Sequence, residues 1–334
     1  MNLFPPLQLG MICLDFPVIQ AALSGYSDSP MRKIARSQGA NFTLCEVLLD
    51  QFVVAVSRRK AKLYMQVDSD DHPCGAQLMG CEPNMFVDAA GRLVEAGFDL
   101  IDLNFACPVK KVLGRLRGGY FMSDPDSALV IIEKVRQFLP ESIPLTVKLR
   151  RGFDDSDESV VKFYRILDGA VELGVAGFTV HGRTVKQKYT GESNWDFLKN
   201  VKSHLVGNNH GEIAIIGSGD LFSAETCLKR MHETGVNGLA LARGAIGNPW
   251  LFGEVRALFE NRAFPAPPTI AEQRVVLLEH YQLSEELYGQ HRASTTMRGF
   301  GIRYSMKHPN AEEVRNDFVR LPWLDVLNKW YGSY

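Results

Sequence analysis

Short apolar runs recur along the first three-quarters of the chain. Each is followed by a stretch with the spacing of an amphipathic helix. Eight runs read as strands: 17–23 (PVIQAAL), 42–47 (FTLCEV), 74–79 (CGAQLM), 100–106 (LIDLNFA), 145–150 (LTVKLR), 177–182 (GFTVHG), 214–219 (AIIGSG) and 238–243 (GLALAR). Several are short, apolar and β-branched, as in a parallel sheet covered on both faces. Between them, 85–97 places Phe86, Ala89, Ala90, Leu93 and Val94 on one helical face, and 128–139 and 159–174 behave similarly. Ser123-Asp124 ahead of Pro125 is a helix start, and Gly174 a helix stop.

Eight β-α units predict an α/β chain folded as a (β/α)8 TIM barrel. An open, doubly wound sheet is the competing architecture. The barrel is favoured because polar residues sit at nearly every strand end: Ser24, Glu46, Gln77, Asn104, Lys148, His181, Ser218 with Asp220, and Arg243. Closure would gather these ends at one mouth. The pattern changes at FPAPPT (264–269), a stiff Pro-rich linker. Helical periodicity then returns at 270–289, 291–306, 311–319 and 323–331, with no strand signal. The expected division is a catalytic barrel over 1–263 and a small all-helical domain over 264–334.

Composition narrows the class. Of 334 residues, 46% are hydrophobic and 22% charged, which excludes a disordered chain. A net charge of −1 excludes a uniformly basic nucleic-acid binder but leaves local basic surfaces open. The six cysteines form no CxxC pair or zinc-finger spacing, so no metal is expected. The N-terminus lacks a signal-peptide pattern, and no apolar run reaches membrane-spanning length. The expectation is a cytoplasmic protein.

Candidate chemistry centres on LNFACPVKKV (103–112). A cysteine near a strand end is commonly a small buried hydrophobe. Here Asn104, Lys110 and Lys111 are costly to bury, and Pro108 turns the chain out of the strand. Cys107 is therefore expected at the mouth, as proton donor or nucleophile. Lys148, inside an apolar run, reads either as a rim side chain or as a fixed cation facing an electron-rich ring. His181 reads as a core histidine or a site residue, and a turn at Gly182 would bring both His181 and Arg183 to the mouth. The Gly turns of IIGSGDL (215–221) and LARGAIGNPW (241–250) each precede a helical pattern, as at phosphate sites after the last two strands of such barrels.

The stretches AALSGYSDSPMR (21–32), AQLMG (76–80), DLNFACPVKKV (102–112), VKLRRGF (147–153), VHGRT (180–184), GSGDL (217–221) and LARGAIGNPW (241–250) resemble the flavin-dependent tRNA-dihydrouridine synthases, most of all the bacterial B branch. The resemblance runs from about Val18 to Pro249 and more loosely into the helical tail. It implies that NADPH reduces FMN, and that reduced FMN passes a hydride from N5 to C6 of a uracil in tRNA. Cys107, the matching cysteine, would protonate C5. It also implies FMN contacts from Ala22, Leu23, Ser24, Gln77, Lys148 and His181. Ser218, Gly219, Asp220, Ala242 and Arg243 would hold the phosphate. Asn104 and Arg183 would fix the uracil or the flavin, and Lys110 and Lys111 would meet the RNA. The target base must leave its stack to reach the mouth, so RNA is expected to be held by basic residues near Cys107 (Lys110, Lys111, Arg115, Arg117) and on the tail (Arg292, Arg298, Arg303, Lys307). A monomer is expected.

The chain departs from the family pattern at Ala22-Leu23, Ala106, Ser218 and Ala242, and in RGGYFM (117–122), where Tyr120 and Phe121 are expected to narrow the mouth. Two other readings stay open. One is an FMN-barrel oxidoreductase acting on a small pyrimidine; the other is an RNA-binding homologue without catalysis.

Overall fold

The computed structural model describes residues 2–332, the side chain of Arg58 excepted. The outer ends of the two expected domains, residue 1 and residues 333–334, lie outside the described residues. All eight apolar runs form strands, and they close into one barrel. After an N-terminal hairpin, β1 (Leu7–Leu9) and β2 (Ile12–Leu14), the barrel strands are β3 (Val18–Gln20), β4 (Thr43–Leu49), β5 (Cys74–Met79), β6 (Leu100–Asn104), β7 (Leu145–Arg150), β8 (Gly177–His181), β9 (Ala214–Ser218) and β10 (Gly238–Leu241). Every neighbouring pair is parallel, and Leu239–Leu241 of β10 pairs with Val18–Gln20 of β3 to complete the ring.

Most strands stop earlier than their apolar runs. In β6 the cause is visible: Asn104 Oδ1 accepts the backbone N–H groups of Ala106 and Cys107, both at 3.0 Å, and so ends the ladder. The expected helix start at Asp124 is present, its carboxylate accepting from Ser127 N. Leu173 closes the helix over Asp157–Glu172, and Gly174 follows with φ +81°.

The hairpin β1–β2 was not foreseen. Leu7, Leu9 and Leu14 are buried and join Ile19, Phe42, Leu44, Leu100, Ala214, Ile216 and Ala240 in one cluster inside the barrel. The hairpin is a stopper at the end where the strands begin, so the barrel opens where they finish. Between helices and strands lies the main core, and it runs without a break into the tail, taking in Phe300, Tyr304, Phe318, Trp323 and Leu327.

The four tail helices are Ile270–Tyr288, Gln290–Tyr304, Ala311–Arg320 and Trp323–Trp330. The first opens on a capping box between Thr269 and Glu272. The tail docks on the barrel through Tyr288, whose hydroxyl donates to Asp28 Oδ2 at 3.0 Å, and through an edge-on contact between Tyr26 and Phe300. Burial pushes the Asp28 carboxyl up to about 6. Among the described residues no helix is long and apolar enough to cross a membrane.

Candidate active site

The open end of the barrel holds a cavity of about 430 Å³. Ala22, Leu23, Ser24, Asn104, Cys107, Lys148, His181, Ser218, Gly219, Asp220, Ala242 and Arg243 all line it. Four of the expected site residues do not. Gln77 is fully buried within β5 rather than at its end. Arg183 is buried beneath the mouth. Lys110 and Lys111 lie exposed on the short helix Lys110–Leu113, outside the cavity. Tyr120 and Phe121 do not narrow the mouth either. Phe121 is buried against Phe105, with ring centroids 4.6 Å apart, and Tyr120 packs against the core. Arg150, Tyr26, Tyr189, Phe222 and Arg303 also line the cavity. None of these except Arg303 was singled out from sequence, and Arg303 only as part of a basic cluster.

Cys107 is held by its backbone. Its N–H donates to Asn104, and its carbonyl accepts from Gly119 N at 3.0 Å. Behind Asn104 runs a directional chain of buried polar groups. Asn104 Nδ2 donates to Gln77 Oε1 at 2.7 Å, and Gln77 Nε2 donates to Asp102 Oδ2 at 2.6 Å. Thr146 Oγ1 donates to Asp102 Oδ1 at 2.6 Å. A carboxylate only accepts, so Asp102 fixes the orientation of the Gln77 amide. Gln77 then fixes Asn104, leaving the Asn104 oxygen to accept from the Cys107 loop. Burial raises the Cys107 thiol above its ordinary range, only partly offset by the Val109 N–H and the Arg150 guanidinium, so it stays protonated at neutral pH.

The adjacent wall, on β7 and β8, is electropositive. The ammonium of Lys148, the fourth residue of β7, makes no hydrogen bond among the described residues, and burial lowers it to about 8 against the pull of Asp102. His181 is lowered to about 2, first by burial and then by Arg150, Lys148, Arg183 and Arg243, so it is neutral. Its Nδ1 is buried without a partner. Strand β8 ends at His181, and the turn that follows sends Arg183 inward, where it donates to both oxygens of Asp220 at 2.9 and 2.7 Å and to the Thr190 and Gly191 carbonyls. Arg183 thus shapes the site through Asp220. Burial disfavours the Asp220 charge, but Arg183, Ser193 N–H and Arg243 together hold this carboxyl below the usual range.

At this corner the chain turns through a glycine packed against Ser193 and His181. Gly219 has φ +118°, and a Cβ there would lie 2.3 Å from Ser193 Oγ and 2.8 Å from the His181 ring. The Arg243 side chain is 41% exposed, with Asp220 as its ion-pair partner at 3.5 Å. Glycine turns and partly exposed guanidiniums are groups that can bind an anion. The tail contributes Arg303, exposed and without an ion-pair or hydrogen-bond partner among the described residues. Its neighbours are committed elsewhere. Arg292 donates to Tyr64 Oη at 3.0 Å and stacks on Tyr288, and Lys307 pairs with Glu254 at 3.5 Å.

Comparison with known proteins gives the family and the fold. A probable tRNA-dihydrouridine synthase of Rickettsia conorii is 32% identical over 92% of this chain and 90% of its own. The tRNA-dihydrouridine synthase B of Pseudomonas aeruginosa is 31% identical over 96% and 92%. Among solved structures, histamine dehydrogenase from Rhizobium sp. 4-9 superposes with a TM-score of 0.59 at 14% identity, over 84% of this chain and 51% of that one. An amine oxidase for 6-hydroxypseudooxynicotine from Pseudomonas geniculata gives 0.59 at 13%, over 83% and 52%. The chain thus spans about half the length of these two, and the likeness is one of fold. The dihydrouridine synthase family model matches residues 19–322, helical tail included, and the chain belongs to that family of oxidoreductases.

Proposed function

We propose that this protein reduces the 5,6 double bond of a uridine in tRNA to dihydrouridine, with FMN as cofactor and NADPH as electron donor, acting as a cytoplasmic monomer. The observation that carries the reading is Cys107, a protonated thiol fixed at the lip of a cavity beside the cationic side chains of β7.

The residues present fit a flavin. An apolar floor (Ala21, Ala22, Leu23) suits a flat ring, the unpartnered Lys148 ammonium and His181 Nδ1 suit its polar edge, and the Gly219 turn with Arg243 suits a phosphate. Bound FMN supplies a hydride to the pyrimidine. Ser218–Asp220 and Ala242–Arg243 hold the phosphate, Asp220 keeping Arg243 and the loop in place. Lys148 would offer an electron-rich ring a fixed charge. Asn104 holds the Cys107 loop, and Cys107 Sγ gives its proton to C5 of the uracil. The 264–334 domain grips the RNA, with Arg298 and Arg303 both exposed for phosphates.

The first test is the visible spectrum of the purified protein. An oxidised-flavin band that releases FMN on heating is expected, and incubation with NADPH and unmodified tRNA should add H2 to a uridine, read by mass spectrometry. A protein that takes up no flavin on reconstitution would sink the reading.

Lys148 gives this reaction a pH dependence. Its charge is present below about 8 and lost above it, so uridine reduction should fall as pH rises through about 8. In Lys148→Met that limb should vanish, with a lower rate throughout. The stability effect has the opposite sign. The folded amine releases its proton near 8 and the unfolded one near 10.5, so between these values rising pH favours the folded state. A pH-rate profile and parallel denaturation curves check both.

A further inference from the structure

The loop that leaves β3 draws little support from the sheet. The strand has three residues, and its register with β4 is the single pair Gln20–Thr43. Yet the residues that follow, Ala21 to Ser24 and Tyr26, line the cavity. On the barrel side the loop is held by Glu46, whose Oε2 accepts from Gly25 N at 2.6 Å, and by Arg32, which donates to Ser27 O at 3.3 Å. On its outer side it is held by the tail. Asp28, 6% exposed, ends the loop. Its Oδ1 accepts from Met31 N, and among the described residues its Oδ2 accepts from the Tyr288 hydroxyl alone. Phe300 meets the Tyr26 ring edge-on, with centroids 5.3 Å apart. Tyr288 is itself steadied by the Arg292 guanidinium, 4.3 Å from its ring centroid.

The tail helix Gln290–Tyr304 also touches the other side of the barrel seam. Strand β10 pairs with β3, and the turn after β10 supplies Ala242, Arg243, Gly244 and Ile246 to the cavity. Gly247 follows with φ +65°. A Cβ there would lie 2.5 Å from Arg303 Cβ and 2.6 Å from Tyr304 N, so the helix rests directly on this backbone. The tail therefore braces both loops that flank the β3–β10 seam, at the end of the barrel opposite the hairpin. These are the loops proposed to carry the flavin ring and its phosphate. Gripping RNA requires none of these contacts, which are made with the barrel and not with solvent.

We infer that the helical tail is a structural part of the cofactor site: Tyr288, Phe300 and the last turn of their helix pair are positioning elements that hold the loops after β3 and β10 at the spacing FMN needs. The inference rests on the proposed function. Without the Tyr288 hydroxyl, a nearly buried carboxylate oxygen has no donor, and the loop must shift to let water reach it.

The test follows FMN release from the flavin-loaded protein after dilution, read as the rise of free-flavin fluorescence. Tyr288→Phe keeps the ring beside Arg292 and removes only the hydroxyl. It should release FMN about tenfold faster, the size of one hydrogen bond to a charged group. Gly247→Ala drives a methyl group into the helix and should also speed release. Val314→Ala is the control, because Val314 is buried within the tail, on the helix Ala311–Arg320. It should lower the urea midpoint and leave FMN release at the wild-type rate. Wild-type release from either Tyr288→Phe or Gly247→Ala would overturn the inference. So would a Val314→Ala protein that loses flavin as fast as they do, since general loosening would then explain all three. If Gly247→Ala does not fold, Tyr288→Phe decides alone. A flavin-loaded wild type with indifferent variants sinks this inference only, whereas a wild type that takes up no flavin sinks the proposed function and the inference with it.

Discussion

Cys107→Ala is expected to lower uridine reduction by about 10²- to 10⁴-fold, the range for loss of a general acid. The alanine keeps the N–H that donates to Asn104 and the carbonyl that accepts from Gly119, so the loop should hold its shape. What disappears is a proton source at a fixed position. Burial raises this thiol, which suits a group that must still carry its proton when the substrate arrives. Cys107→Ser is the informative companion. It fills the space and keeps an O–H, but a hydroxyl gives up its proton far less readily, so it should resemble alanine more than wild type. Single-turnover formation of dihydrouridine measures the effect. Flavin content and bleaching of the visible band by NADPH should be unchanged in both variants. Turnover near the wild-type rate in Cys107→Ala would remove Cys107 from the mechanism.

Asp71→Ala should cost about 3–5 kcal/mol of stability, as expected when one partner of a buried ion pair is removed. Asp71 is fully buried and serves two arginines. Its Oδ2 accepts from Arg32 Nε at 2.8 Å, with Arg32 Nη2 2.6 Å away, and its Oδ1 accepts from Arg36 Nε at 2.9 Å. Arg32 is itself 2% exposed, so without Asp71 a full charge stays in the interior with only the Ser27 and Gln66 carbonyls. Both arginines sit on the helix Ser29–Ser37, which follows directly from the cavity loop of Ala22–Ser24. Cofactor affinity should therefore weaken alongside stability. Asp71→Asn keeps acceptors but not the charge, and should fall between. Urea denaturation measures the loss, and an alanine variant within about 1 kcal/mol of wild type would show that the two arginines find other partners.

The barrel was legible because a buried parallel strand has to be apolar along its length, and eight such runs punctuated by turns have few other solutions. Cys107 and Asn104 were legible because a polar group just past such a run has few places to go except the mouth. The hairpin was missed because its strands are only three residues long, and its inward leucines are buried by the barrel rather than by local pairing. Gln77 and Arg183 were expected to meet ligands on the strength of the family resemblance. What the sequence did not show is that their side chains also bond to Asp102, Asn104 and Asp220, partners far away in sequence. Arg150 did leave a signal: it stands two residues after Lys148, and in a strand such residues share a face. Tyr189 and Phe222 left none, because only the folded loops bring them within reach of Arg243.

The stoppered, closed ring also dictates the order in which the molecule can be made. Strand β3 finds its second neighbour only when β10 exists, and the hairpin can seal the floor only once that ring is in place. During synthesis the early strands therefore emerge as an open sheet with a bare edge and an uncovered apolar face. Completion depends on contacts between the two ends of the barrel sequence, a slow and cooperative step. Mutations at the β3–β10 seam should thus reduce the yield of folded protein in cells more than they reduce the stability of molecules that have already closed.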